Sequence, residues 1–232
     1  MPQLDPLQFA YKAKRGVDDE CITLIDLVSK HLQNSKAYCR ILMIDFSSAF
    51  NSIEPFVLLQ RLLALGVNKN IIKFINSFLQ ERPQQVKANG VLSDMIVLST
   101  GAPQGCVLSP TLFSIYTDEI RFSNSITTLF KFADDMALVG LLTDEDSLTS
   151  YFTDIAKLHE WCNRSYLELN VRKTKELVFQ YNDPDFIPVN ISGDDVELVK
   201  CFKYLGTLID TDLSFSDNTD YIIKNVNRDC TC

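Results

Sequence analysis

The sequence predicts an α+β fold in one continuous domain, and three observations carry that prediction. A run of apolar residues, Ile41-Leu42-Met43-Ile44, has the length and continuity of a strand covered on both faces. A second pair of apolar runs flanks Asp134-Asp135. Between these strand segments lie stretches with the 3-4 spacing of amphipathic helices, and no repeat or low-complexity linker divides the chain.

Taken in order, Asp18 to Lys36 spaces Ile22, Ile25, Leu27-Val28 and Leu32 as one helical face, with Asp18-Asp19-Glu20 at the positive end of the helix. Cys39 to Phe46 reads as a buried strand that ends abruptly at Asp45. Two helices follow, Pro55 to Ala64 and Asn68 to Gln80, with Gly66 as the C-cap between them. Gln84 to Lys87 and Met95 to Leu98 form a hairpin around Asn89-Gly90. The turn-rich stretch from Ser99 to Gly105 leads into a helix from Pro110 to Ile120. Strands at Ile126 to Phe132 and Met136 to Val139 flank the paired aspartates. Asp144 to Tyr166 is a long helix with Leu148, Phe152, Ile155, Leu158 and Cys162 along one face. Strands at Glu176 to Gln180 and Val189 to Ile191 precede a final pair, Cys201 to Tyr204 and Thr207 to Ile209, joined through Gly206. Residues 211–232 read as a truncated tail.

The 232 residues are 46% hydrophobic and 10% aromatic, enough for a packed core and against global disorder. The longest apolar candidate, Phe56 to Val67, is broken by Gln60 and Arg61, short of the roughly 18 residues of a membrane span. Met1 to Pro6 has neither a basic nor an apolar signal region, so a protein neither secreted nor membrane-bound is expected. Seven cysteines (21, 39, 106, 162, 201, 230, 232) lack the paired spacing of a zinc site and read as reduced thiols. The net charge of −8 counts against tight binding of a phosphate backbone by this chain alone. Its distribution is uneven: Lys12-Lys14-Arg15 and Arg172-Lys173-Lys175 are basic, whereas Asp144-Glu145-Asp146 and the stretch from Asp183 to Glu197 are acidic.

Three segments point to chemistry. Phe132-Ala133-Asp134-Asp135 reads either as a surface turn or as a pair of metal-binding carboxylates, and its apolar flanks put it at the rim of a core. Asp45 ends another buried strand, and two such strands can bring their carboxylates to one sheet edge. Hard oxygen ligands of this kind suit Mg²⁺, which takes one or two protein carboxylates and fills the remainder from substrate phosphates. Gly101 to Pro110 carries two glycines and two prolines, with Ser109-Pro110 placed to open a helix.

Together these segments resemble the reverse transcriptases of non-LTR (LINE-type) retrotransposons. Ile44 to Asn51 resembles the first palm motif, Gly101 to Pro110 the second, and Phe132 to Asp135 the (Phe/Tyr)-Ala-Asp-Asp box. Leu169-Asn170 with Lys173-Thr174-Lys175 resembles the fourth motif, Phe202 to Gly206 the primer grip, and Gln8 to Tyr11 the fingers segment. The order agrees and the likeness spans nearly the whole chain. Lys12 and Gly16-Val17 depart from it, standing where many relatives carry Arg and Ser-Thr.

The resemblance implies a right-hand polymerase palm, an antiparallel sheet backed by helices, with partial fingers. It implies two Mg²⁺ ions, with Mn²⁺ able to substitute, held by Asp45 and Asp134 with Asp135 beside them. Phe50 would be the steric gate against a ribose 2′-hydroxyl, although it also reads as a core residue. Phe46 would join it in the substrate-binding set, with Gln104 and Gly105 lining the nascent base pair and template. Arg15 would contact the triphosphate and Lys173 the pyrophosphate; both also read as solvated surface. Tyr204, Leu205 and Gly206 would grip the primer. The implied partners are an RNA or DNA template, a DNA primer and dNTPs. Upstream finger strands, thumb helices and an endonuclease domain would belong to the full-length element, and a cytoplasmic or nuclear location is expected. Two rival readings stay open: an inactive truncated remnant with a palm fold, and another palm-type nucleotidyltransferase such as an RNA-directed RNA polymerase.

Overall fold

In the computed structural model, which describes residues 4–180 and 186–229, the buried runs seen in the sequence become the centre of one sheet. Strand β1 (Tyr38–Ile44) lies between β8 (Asp135–Leu142) and β10 (Lys175–Phe179), antiparallel to both. The complete order is β13-β10-β1-β8-β7, with β7 at Thr127–Phe132 and β13 at Glu197–Leu198. The expected antiparallel sheet therefore carries one parallel edge, because β13 runs alongside β10 in the same direction.

The alternation of β1 divides the core in two. Leu42 and Ile44 face a cluster built by α2 (Pro55–Ala64), α3 (Lys69–Leu79), α4 (Leu108–Tyr116) and α5 (Glu145–Arg164). Cys39, Ile41 and Met43 face a second cluster built by α1 (Val17–His31) and the hairpin of β14 (Cys201–Tyr204) and β15 (Thr207–Asp210). On the first face α5 buries Tyr151, Ile155, Leu158, Trp161 and Cys162, with Leu148 and Phe152 at the margin. Its start is fixed by Asp144, whose side chain accepts the Ser147 N–H.

Tyr151 shows how tight this packing is. A Cβ on Gly140, in β8, would lie 2.5 Å from a carbon of the fully buried Tyr151 ring. The Gly140→Ala variant is therefore expected to lose about 1–3 kcal/mol of unfolding free energy, the usual penalty for overpacking. Chemical denaturation measures this, and a loss below about 0.5 kcal/mol would contradict the packing described.

Several boundaries differ from the sequence reading. Helix α1 stops at His31, five residues short of Lys36, where Asn34 turns its side chain onto the Lys36 N–H. Helix α4 begins at Leu108 and ends at Tyr116, so Pro110 lies within its first turn. The hairpin around Asn89-Gly90 is two short ladders: β3 (Arg82–Gln84) with β6 (Ile96–Leu98), and β4 (Lys87–Ala88) with β5 (Val91–Leu92). Strand pairs β2 (Phe46–Ser47) with β9 (Glu168–Leu169), and β11 (Asn190–Ile191) with β12 (Asp194–Asp195), complete the fold. Within the stretch read as a truncated tail lies α6 (Ser216–Asp229), preceded by Asp210 accepting N–H groups from Asp212, Ser214 and Phe215. Cys21, Cys39 and Cys162 are buried free thiols; Cys106 and Cys201 are half-buried; Cys230 and Cys232 lie outside the described residues. Asp183 and Asp185 of the acidic stretch also lie outside them.

Candidate active site

The paired aspartates sit where the sheet's central strands end. Phe132 pairs with Asp135, leaving Ala133 and Asp134 as a two-residue hairpin loop. Ala133 takes φ +59°, a conformation that hairpins of this kind usually give to glycine. Burying Ala133 while leaving Asp134 exposed pushes the carboxylate out beyond the sheet. Asp45 meets it from the neighbouring strand: Ile44 is in register with Met136, so the next residue along β1 comes level with Asp135. Asp45 continues the alternation of Ile41 and Met43, and Asp135 that of Val139 and Ala137, so both belong to the face of α1 and the β14–β15 hairpin.

The electrostatics agree with this placement. Crowding at the strand ends raises the pKa of Asp135, and the charges of Asp134 and Asp45 raise it further. Asp45 Oδ2 is shielded from solvent and makes no hydrogen bond, which leaves a carboxylate oxygen free to accept a further contact. Lys173 Nζ lies 3.9 Å from it, too far for a hydrogen bond but close enough to temper the charge. Among the described residues no group of three His, Cys, Asp or Glu side chains closes around a single point. An open arrangement is compatible with Mg²⁺, whose shell is largely completed by water and substrate phosphate.

Asp45 is held through its backbone on both sides. Its carbonyl accepts the Asn170 N–H at 2.9 Å, and its own N–H donates to Thr174 Oγ1 at 3.3 Å. Both partners come from the segment whose only singled-out side chain was Lys173. Phe46 beside it pairs with Leu169, and its ring is in the core rather than on an open surface.

The Gly101 to Pro110 loop docks on the short 3₁₀ turn Ala49–Ser52 that carries Phe50. Gly101 N–H donates to Ile53 O at 2.7 Å, and Ala102 N–H to Phe50 O at 2.8 Å. Gly101 has φ +75°, and a Cβ there would sit 2.8 Å from the Asn51 backbone, so this approach needs glycine. Phe50 is half-buried and stacks on Phe113 with ring centroids 4.7 Å apart, at once a core contact and an exposed edge. Gln104 and Gly105 are exposed, and Gln104 lines a cleft of about 530 Å³ with Asn51, Arg82, Gln84 and Thr100.

The remaining expected residues are placed differently. The Arg15 guanidinium donates to Pro6 O at 2.5 Å and lies 4.7 Å from the Phe9 ring centre, so its contacts are within its own segment. Tyr204 is buried and donates its hydroxyl to Glu20 Oε1 at 2.5 Å; its ring belongs to the core rather than to a primer-facing surface. Leu205 (φ +49°) and Gly206 (φ +93°) form the tip of this hairpin. Glu20 itself was read only as an acid at a helix start. It is wholly buried, and burial raises its pKa to about 8, with the Asp135 charge adding to the rise and the Tyr204 hydrogen bond opposing it. Helical spacing gave the available signal, since Glu20 shares a face with buried Leu24 and Val28.

Comparison with known proteins matches this architecture. A family model described as reverse transcriptase (RNA-dependent DNA polymerase) matches residues 1–209. The chain is 26% identical over 219 residues to the RNA-directed DNA polymerase from mobile element jockey of Drosophila funebris, covering 90% of this chain and 23% of that protein. A probable RNA-directed DNA polymerase from transposon BS of Drosophila melanogaster is 27% identical, covering 88% and 23% respectively. The chain thus spans about a quarter of the length of these relatives. Among solved structures, apo telomerase from Candida tropicalis truncated from the C-terminal domain superposes with a TM-score of 0.61 at 14% identity, covering 88% of this chain and 39% of that one. Telomerase from Candida albicans, in complex with a fragment of telomeric RNA, gives 0.57 at 15% identity, covering 89% and 35%. With its palm fold and motif order, the chain belongs to the reverse transcriptase family.

Proposed function

We propose that this chain carries the polymerase centre of a retrotransposon reverse transcriptase, extending a DNA primer on an RNA or DNA template with dNTPs. The observation that carries the proposal is the convergence of Asp45 with the Asp134-Asp135 turn, with a shielded oxygen on Asp45 that makes no hydrogen bond. The family is generally dependent on divalent metal, and the three carboxylates fit Mg²⁺, or Mn²⁺ in its place. Bound there, the ions would neutralise phosphate charge and activate the primer 3′-hydroxyl.

The residues of the chain account for the remainder. Asp45, Asp134 and Asp135 bring negative charge to one edge of the sheet, where cations and substrate phosphates would complete the arrangement. Lys173, 3.9 Å from Asp45, would meet the departing pyrophosphate and give it a proton. Phe50, stacked on Phe113, would act as the gate; Gln104 lines the cleft where a base pair would lie, and exposed Gly105 would meet the template beside it. The turn Leu205-Gly206 is the element left to contact primer.

Primer extension on poly(rA)/oligo(dT) tests the reading directly. Mg²⁺-dependent incorporation of dTTP is expected, slow and of low processivity; no incorporation with either Mg²⁺ or Mn²⁺ would overturn it for this chain. Phe50→Ala is expected to raise the kcat/KM ratio of ribonucleotide to deoxynucleotide by about tenfold or more, as expected when a steric block is removed. An unchanged ratio in an active variant would remove Phe50 from the gate.

A further inference from the structure

We propose that Gln8 is a positioning residue for the catalytic turn: its side-chain carbonyl holds the backbone of Ala133 and so fixes how Asp134 is presented. The catalytic half of this inference rests on the polymerase reading; the structural half does not. Gln8 Oε1 accepts the N–H of Ala133 at 3.3 Å and the N–H of Ala10 at 3.2 Å. Ala133 is the strained residue of the turn, and both amides are buried, so each needs an acceptor inside the protein.

The segment is also laced to the strand that leads into the turn. Phe9 N–H donates to Lys131 O at 2.8 Å, and Lys131 N–H donates to Leu7 O at 3.0 Å, enclosing Gln8 in a parallel bridge. Two residues beyond Phe9, Tyr11 takes φ +59° and feels the charge of Asp134, which adds to the burial that raises its pKa. The segment preceding the palm therefore touches the catalytic turn at its backbone, with Tyr11 within electrostatic reach of the Asp134 carboxylate.

The amide chemistry explains why a glutamine stands here. Gln8 is 2% exposed, yet its Nε2 makes no hydrogen bond. A buried unmet donor costs about 1–3 kcal/mol, so an apolar side chain would serve packing better. An apolar side chain would, however, leave the N–H groups of Ala133 and Ala10 without their acceptor. The carbonyl is the useful end of the side chain.

The test uses the full chain with Gln8→Leu, which removes the acceptor, and Gln8→Glu, which keeps it. Hydrogen exchange resolved at Ala133 is read beside kcat and the dNTP KM in primer extension. In Gln8→Leu the Ala133 amide is expected to exchange about tenfold faster, as for loss of one hydrogen bond. In the same variant kcat is expected to fall by about tenfold or more with KM within about threefold, the pattern of lost transition-state positioning. Gln8→Glu should protect Ala133 as the wild type does and recover most of kcat. Unchanged exchange in Gln8→Leu, faster exchange with unchanged kcat, or a Glu variant no better than the Leu variant would each overturn the inference. A wild-type chain that extends no primer overturns the polymerase reading, and Ala133 exchange then decides the hold on the turn by itself.

Discussion

Asp134→Ala is expected to reduce primer extension by about a thousandfold or more, equivalent to about 4 kcal/mol of transition-state stabilisation. Phosphoryl transfer asks little of a protein beyond positioning and neutralisation of developing charge, so removing a carboxylate that would hold the cation removes most of the rate. The fold should survive the change. Asp134 is an exposed loop residue, and substitutions at such sites usually shift stability by no more than about 0.5 kcal/mol. Its removal also relieves part of the repulsion that raises the Asp135 pKa, which works in favour of stability. Thermal melting beside steady-state incorporation separates the two effects. An Asp134→Ala chain that melts like wild type and still extends primer would end the metal-site proposal. Asp45→Asn should behave alike, losing charge while keeping shape.

A second large effect is expected from Glu20→Gln, in stability as a function of pH. Burial holds the Glu20 pKa at about 8, against an ordinary value of 4.5. Between those limits the unfolded chain has released this proton and the folded chain has kept it, so stability falls as pH rises. The contribution is fully present below pH 4.5 and is lost by about pH 8. At about 1.4 kcal/mol per pH unit the loss would reach at most about 5 kcal/mol. Glutamine offers Tyr204 the same carbonyl acceptor without an ionisable proton. Glu20→Gln should therefore unfold at a urea midpoint that changes little between pH 5 and 8.5, with the wild type falling below it at the alkaline end. Parallel curves for the two proteins would show that Glu20 does not titrate in this way. Because Tyr204 belongs to the hairpin that carries Leu205-Gly206, the same measurement reports on how firmly that hairpin is seated against α1.

What the sequence determined was the local grammar. Continuous apolar runs marked β1 and β8, Asp144 marked the start of α5, and the boundaries of α2 were legible to the residue, because these features depend on near neighbours. The motifs also announced which acids and which loop mattered. Less legible were elements whose stability comes from distant partners: the two-residue ladder of Phe46–Ser47 with Glu168–Leu169, the parallel edge β13, and α6, whose start is organised by Asp210.

Tertiary structure alone decided the partners of individual side chains. Tyr204 and Arg15 carry the right chemistry for substrate contact, yet one hydroxyl is claimed by Glu20 and one guanidinium by Pro6 and Phe9. No spacing rule foretells the Tyr204–Glu20 pairing, because it joins residues 184 positions apart through the packing of a hairpin on a helix. The same holds for Gln8 and Ala133, 125 positions apart. Side-chain type follows from the chain, whereas burial, and with it the need to satisfy each polar group, follows only from what the fold brings alongside.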